Sequence, residues 1–165
     1  MAQPSAPPDW RPALDRALPL LGHRNCIVVA DSAYPWQTSP GIETVATGAD
    51  HLEVLAAVVG AISRAPHLRA IALVDAELAF VDEARAPGID ALRDGVAAAL
   101  ARVETRALPH EDIIRALDEA GRMFHVLLLK TTLALPYTSV FLQLDCGYWS
   151  AEAEADLRRR IDASS

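Results

Sequence analysis

Residues 21–31 of the chain read Leu21-Gly22-His23-Arg24-Asn25-Cys26-Ile27-Val28-Val29-Ala30-Asp31. The middle of this stretch is an apolar run, which predicts a strand over residues 25–30. Gly22 is typical of the end of a helix, so His23 stands between a helix and the strand. Asp31 follows the strand, at the carboxyl end where open α/β sheets bind their ligands. The stretch therefore places a group able to transfer protons near neutral pH at one end of a strand and a carboxylate at the other.

Helix and strand patterns alternate around this stretch. A first helix is expected to start with Asp9 as its N-cap and to stop at Gly22, with Pro19 bending or breaking its last turn. Asp50 is expected to cap a second helix, with Glu53 completing a capping box. The buried face of that second helix is expected to comprise Leu52, Leu55, Ala56, Val59 and Ile62.

The remaining patterns complete an α/β order. They predict strands over residues 42–46, 69–74, 104–108, 124–130 and 138–145, and helices over residues 89–102, 110–123 and 150–163. This order predicts a single-domain mixed sheet covered by helices on both faces, with an extra C-terminal helix.

The composition limits the class of protein and its partners. The chain has 165 residues, 52% of them apolar, which is enough for one domain with its own core. The formal net charge is −7 and no block of lysines or arginines occurs, which argues against nucleic acid and anionic membranes as partners. No apolar stretch is long enough to span a bilayer.

The two ends of the chain are expected to lie outside the main domain. Residues 1–8 lack the features of a secretory signal and predict a short disordered arm. Residues 9–148 are expected to form the domain, and 149–165 a helical extension. In that extension Ser150 can cap the helix. An apolar stripe at spacing four predicts that the helix docks on another surface; its members are Trp149, Ala153, Leu157 and Ile161.

The two cysteines indicate the compartment. Cys26 and Cys146 each lie in a strand-like apolar run. We therefore expect both to be buried, reduced thiols of a cytoplasmic protein.

His23 and Asp31 are candidates for chemistry, although each also has a structural explanation. Helix C-termini attract histidine, and aspartate after a strand commonly forms a turn. Taken alone, His23 is better explained as structural. A strand of five or six residues keeps its ends roughly 17–20 Å apart. The two side chains can meet only if Gly22-His23 folds back over the sheet, or if His23 acts in a neighbouring subunit's site.

Three further residues are candidates for binding. His110 follows Pro109 at the start of a helix, where it could bind a hydroxyl group or lie in solvent. Tyr137 and Ser139 lie in a turn between two apolar strands. Their hydroxyl groups could line a polar pocket, or the tyrosine could simply pack its ring.

No metal or nucleotide cofactor is predicted. His51 and His67 are expected at the surface, and His125 begins a strand without a clear role. The five histidines show no metal-ligand spacing. The sequence also lacks the GxGxxG, GxxxxGK[ST] and GxSxG motifs.

Together, these residues resemble the ribose pyranase / fucose mutarotase family (RbsD/FucU). The similarity runs from about Leu14 to Gly147, and its most specific part is the interval of eight residues between His23 and Asp31. The segments that carry it are Leu21-Gly22-His23, Ile27-Val28-Val29-Ala30-Asp31 with Pro35, Pro109-His110-Glu111, and Pro136-Tyr137-Thr138-Ser139-Val140-Phe141-Leu142.

The resemblance implies both an activity and a site. It implies an isomerase without cofactor or metal that interconverts cyclic forms of a monosaccharide. It further implies a ring-shaped homo-oligomer with sites near subunit boundaries. His23 would donate the proton, while Asp31, His110, Tyr137 and Ser139 would bind the sugar. Outside the family pattern, we expect Trp36 to offer an apolar surface to a sugar face.

The chain departs from the family pattern in ways that leave other functions open. Ser139 stands where the family has an asparagine, and Thr131-Thr132-Leu133 replaces a usual Gly-Glu pair. The helix after His110 is several residues longer, and the C-terminal helix is extra. One alternative is an isomerase or cyclase acting on another hemiacetal or lactol-like molecule. The other is a ring that binds or scaffolds without catalysis.

Overall fold

A mixed sheet of six strands organises the chain, which is described for residues 9–164 in this computed structural model. The strands are β1 (Cys26–Ala30), β2 (Ile42–Ala46), β3 (Leu68–Asp75), β4 (Glu104–Leu108), β5 (Val126–Lys130) and β6 (Val140–Cys146). Their order across the sheet is β2-β5-β1-β6-β3-β4. β6 runs antiparallel to β1 and β3, whereas the other neighbouring strands are parallel. The carboxyl ends of five strands therefore lie along one edge of the sheet, the edge that runs across the strand ends. β6 begins at that edge.

Helices cover both faces of the sheet, which confirms the predicted fold class. They are α1 (Arg11–Ala17), α2 (His51–Arg64), α3 (Ile89–Ala99), α4 (His110–Met123) and α5 (Ala151–Ala163). Along β1, Ile27 and Val29 join one apolar cluster with residues of α1, α2 and α3. Val28 and Ala30 join a second cluster with α4. This alternation follows from the two-residue period of a strand and leaves β1 buried on both faces.

Helix boundaries and one helix face differ from the expectation. α1 begins at Arg11, and Asp9 instead accepts a hydrogen bond from the backbone N–H of Arg11. Pro19 lies in a 3-10 turn that follows α1. The buried face of α2 includes Val54 and Val58, while the predicted Ala56 is exposed. The choice of face depends on packing that helical periodicity alone does not fix.

The helix α2 is capped by Asp50, as predicted. Its carboxylate accepts hydrogen bonds from the backbone N–H groups of Leu52 and Glu53 at 2.9 and 3.1 Å. The Glu53 carboxylate pairs with Arg11. Asp50 thus satisfies two of the amide groups that a helix start leaves open.

Replacing Asp50 by alanine should lower the free energy of unfolding by about 1 kcal/mol, because two N–H groups of α2 lose their acceptor. Ser150→Ala is the matched control, since Ser150 caps α5 by one hydrogen bond and no residue of α5 is buried. Urea unfolding should show a lower midpoint for Asp50→Ala and an unchanged midpoint for the control. Equal midpoints for Asp50→Ala and the unaltered protein would contradict this assignment.

The apolar stripe of α5 stays exposed within the described part of the chain. Trp149, Leu157 and Ile161 are 44%, 41% and 47% exposed. Much of the stripe is therefore open to solvent in the described part of the chain. No helix in that part of the chain is both long and apolar enough to cross a membrane. The predicted arm, residues 1–8, lies outside the described residues.

The two cysteines have different surroundings. Cys26 is buried in β1, and burial raises the pKa of its thiol to about 12. Cys146 is only half-buried at the end of β6, so its expected place in the core is wrong. Both thiols are free, as expected for a reduced protein.

Candidate active site

Polar side chains gather at the sheet edge where β1 to β5 end and β6 begins. The pairing of Ala30 with Lys130 and of Val29 with Val140 sets the residues that follow β1 and β5 beside those that precede β6. Val140 also pairs with Val74, so the end of β3 lies on the same line. The residues along this edge are Thr47, Thr131, Asp31, Ser139, Asp75 and, after β4, His110. Carboxyl ends of strands are the usual place for a ligand site in an α/β fold.

Asp31 and Ser139 are bound to each other at the centre of this edge. The Ser139 hydroxyl donates to Asp31 Oδ2 at 2.9 Å and accepts from the Asp31 backbone N–H at 3.2 Å. Asp31 Oδ1 accepts from the Ala33 N–H, which is the turn expected of an aspartate after a strand. The turn and the contact with Ser139 together fix the orientation of the carboxylate.

His110 is held between a buried carboxylate and a tyrosine ring. Its Nδ1 lies 3.0 Å from Oδ1 of Asp75, whose side chain is buried at the end of β3. Tyr137 packs edge-on against the imidazole, with ring centroids 5.6 Å apart. Tyr137 has a left-handed backbone with a φ of 57° and is 42% exposed. Glu77 accepts the backbone N–H of His110 and so anchors the start of α4.

Asp75 carries an energetic cost. Burial raises the pKa of its carboxyl group, as do Glu77 and Asp31, whereas the hydrogen bond and charge of His110 act in the opposite direction. Its Oδ2 is buried and has no hydrogen-bond partner within residues 9–164. A buried acceptor without a partner costs stability, which is a common property of functional sites.

Asp75→Asn should therefore stabilise the fold at neutral pH. Because the folded-state pKa is raised, the aspartate contributes stability below its unfolded-state pKa and loses it as the pH rises through the folded-state value. The amide keeps an oxygen for His110 and removes the charge. We expect a gain on the order of 1 kcal/mol at pH 7, because the amide has no charge to desolvate, and a smaller gain at pH 4, where less of that charge is present.

Urea unfolding at both pH values measures this difference. The exposed Asp94 has no such burial and provides Asp94→Asn as the control. At each pH, the stability of Asp75→Asn is compared with that of the unaltered protein. A smaller gain at pH 7 than at pH 4 would contradict the interpretation.

His51 belongs to the same edge, and the expectation that it is a surface residue is wrong. It is fully buried at the start of α2, with Nδ1 3.1 Å from the hydroxyl oxygen of Thr131. That hydroxyl donates its one hydrogen to the Ala30 carbonyl, so it accepts from Nδ1–H. Burial lowers the pKa of His51, against the opposing charges of Asp31 and Asp50.

Trp36 and His23 are both largely exposed to solvent. Trp36 is 84% exposed on the loop that follows β1. His23 precedes β1 and so lies at the opposite edge of the sheet, where β1 to β5 begin. There its Nδ1 contacts Asp145 at 2.7 Å. The five residues of β1 keep His23 roughly 17 Å from Asp31. Within one chain, the structure brings together Asp31, His110, Tyr137 and Ser139, but not His23.

The sequence patterns did not predict the contacts of three residues described above: His51, Asp75 and Asp145. Asp75 carried a usable signal, since it ends an apolar strand just as Asp31 follows one. His51 and Asp145 carried none, because their contacts depend on how distant segments pair. Residues 9–164 hold no group of three or more His, Cys, Asp or Glu side chains arranged to bind a metal ion.

Solved structures share this fold. RbsD of Bacillus subtilis complexed with D-ribose is 16% identical with a TM-score of 0.57, covering 88% of this chain and 98% of its own. FucU from Bifidobacterium longum is 16% identical with a TM-score of 0.53, covering 81% and 92%. The fucose mutarotase of Streptococcus pneumoniae in complex with L-fucose is 18% identical with a TM-score of 0.52, covering 87% and 98%.

These likenesses confirm the resemblance at the level of the fold. The sequence itself matches neither a family model nor a curated protein. The chain and these structures thus share an architecture although their sequence identity is low.

Proposed function

We propose that this protein is an isomerase that interconverts cyclic forms of a monosaccharide. The observation that carries the proposal is the convergence of Asp31, Ser139, His110 and Tyr137 at one sheet edge. The fold supports it, since two structures that share this fold hold D-ribose and L-fucose.

The chemistry of the edge suits a neutral molecule rich in hydroxyl groups. The Asp31 carboxylate accepts hydrogen bonds from sugar hydroxyls, and charge-assisted bonds of this kind are stronger than neutral ones. Tyr137 offers a hydroxyl group and His110 its second ring nitrogen, whereas the buried Ser139 hydroxyl is bonded to Asp31 and orients the carboxylate.

The reaction requires only proton transfer. A base takes the proton of the anomeric hydroxyl, and the carbonyl forms as the bond from the anomeric carbon to the ring oxygen breaks. The ring oxygen takes up a proton. Closure on the other face gives the other anomer, and closure through another hydroxyl gives the other ring size. Positioned proton transfer accelerates such steps by about 10²–10⁴-fold.

In this proposal, His23 is the proton carrier and comes from a second copy of the chain. β1 separates His23 from Asp31 of its own chain, so the site is complete only where two copies meet. His23 is accessible for this role, since its side chain is 61% exposed. A homo-oligomer therefore belongs to the proposed function.

The basic test is whether the protein accelerates anomer exchange at all. Exchange NMR on the anomeric protons of D-ribose, L-fucose and related sugars should show faster exchange for at least one sugar than in buffer. Exchange rates equal to those in buffer across the whole panel would contradict the proposed function.

A further inference from the structure

A network of hydrogen bonds fixes the backbone of the turn that carries His23 at the amino end of β1. The Gly22 N–H donates to Asn25 Oδ1 at 2.7 Å, and the Asn25 N–H returns to the Gly22 carbonyl at 3.1 Å. The Arg24 N–H donates to the Leu144 carbonyl, which ties the turn to β6. His23 therefore occupies a turn whose backbone is fixed against the sheet.

The carboxylate that meets His23 is itself fixed on both oxygens. Asp145 Oδ1 lies 2.7 Å from His23 Nδ1 and also accepts the Cys146 N–H at 2.8 Å. Asp145 Oδ2 accepts from Arg69, its direct partner across β3 and β6. Its side chain is 22% exposed. Arg69 and the Cys146 N–H thus set the position of Asp145 independently of His23.

Asp145 is ionised at neutral pH. Partial burial acts to raise its pKa, but hydrogen bonds from the Cys146 N–H, Arg69 and His23 outweigh burial and hold the pKa below its ordinary value. An ionised carboxylate can only accept hydrogen bonds. The hydrogen between the two side chains must therefore sit on Nδ1 of His23.

We propose that Asp145 is a positioning residue that fixes the Nδ1–H tautomer of His23 and so presents Nε2 as the nitrogen that exchanges protons with the sugar. The role of Nε2 rests on the proposed function, whereas the tautomer does not. In the reaction, Nε2 takes the proton of the anomeric hydroxyl while the C–O bond of the ring breaks. It then gives that proton to the ring oxygen, so the histidine ends as it began.

The arrangement has a known physical logic. In a histidine–carboxylate pair, the carboxylate holds the ring in one tautomer and stabilises the imidazolium that forms. Loss of the carboxylate leaves His23 in place but frees the ring to rotate and to carry its hydrogen on Nε2. A ring with hydrogen on Nε2 cannot accept the anomeric proton at that atom.

The tautomer can be read directly in long-range ¹H–¹⁵N spectra of protein labelled at histidine, at a pH where the rings are neutral. His23→Ala identifies the signals of His23. We expect the Nδ1–H pattern in the unaltered protein and its loss in Asp145→Ala, with Asp145→Asn as a second variant that keeps the side-chain volume. Glu154→Gln is the matched control, because Glu154 lines one surface groove together with His23 and Asp145 but hydrogen-bonds to Trp149 and Arg158.

Sugar exchange provides the second measurement. Asp145→Ala should slow exchange at least about tenfold, a part of the 10²–10⁴-fold contribution of positioned proton transfer, and leave sugar affinity unchanged. An Nε2–H pattern in the unaltered protein, or an unchanged Nδ1–H pattern in both Asp145 variants, would overturn the inference. If the unaltered protein exchanges no sugar, the proposed function fails, and the spectra still decide the role of Asp145.

Discussion

Replacing His23 by alanine should slow anomer exchange by about 10²–10⁴-fold, the contribution of a positioned proton carrier. The affinity for the sugar should stay nearly unchanged, because the residues that bind it lie at another edge of the sheet. Stability should change little, since the His23 side chain is 61% exposed and, among the described residues, hydrogen-bonds only to Asp145. Exchange NMR for the rate and calorimetry for the affinity separate these two effects.

His125→Ala is the matched control for this experiment. His125 lies at the start of β5 and pairs with the exposed Glu43, so its removal takes away one surface contact. Surface ion pairs contribute at most about 1 kcal/mol. A rate in His23→Ala equal to that in His125→Ala would remove His23 from the mechanism.

Replacing Asp31 by asparagine should weaken sugar binding by roughly 10- to 100-fold, because hydrogen bonds to a charged acceptor are worth about 1.5–3 kcal/mol and each 1.4 kcal/mol is tenfold. The rate at saturating sugar should fall less than the affinity. The turn should survive, since the amide oxygen can still accept the Ala33 N–H and the amide nitrogen can donate to Ser139. Calorimetry measures the affinity.

Asp94→Asn serves again as the control, since it removes the same charge from an exposed helix position. If Asp31→Asn bound sugar as tightly as Asp94→Asn, the sheet edge would not be the binding site.

Much of the fold could be predicted because its signals are local. The apolar run of β1 is buried on both faces of the sheet, and its position next to Gly22 and Asp31 already marked both ends. The capping residues Asp50 and Ser150 marked helix starts that the structure shows one residue later. These features depend on neighbouring residues, which a sequence displays directly.

The missing parts of the site depend on pairing between distant segments. His23 and Asp145 are 122 positions apart and meet only because β6 pairs with β1 in one register. A shift of that register by one residue would turn Asp145 to the other face of the sheet. His51 looked like a surface residue because a first-turn histidine beside an acidic cap usually is one. It is buried because the loop after β5 brings Thr131 against it.

In the proposed oligomer, a sugar site is completed by His23 from one copy and Asp31 from another. Co-expression of His23→Ala and Asp31→Asn copies tests it most directly, because each variant lacks a different half of the site. In a randomly mixed oligomer, about a quarter of the sites should carry both native residues, since two copies of one chain contribute different patches to such an interface. Exchange NMR at a sugar concentration well below saturation, where the weak binding of Asp31→Asn limits its rate, should then show activity well above that of either variant alone. Exchange that stays at the level of the single variants, with both copies folded and co-purifying, would contradict the account.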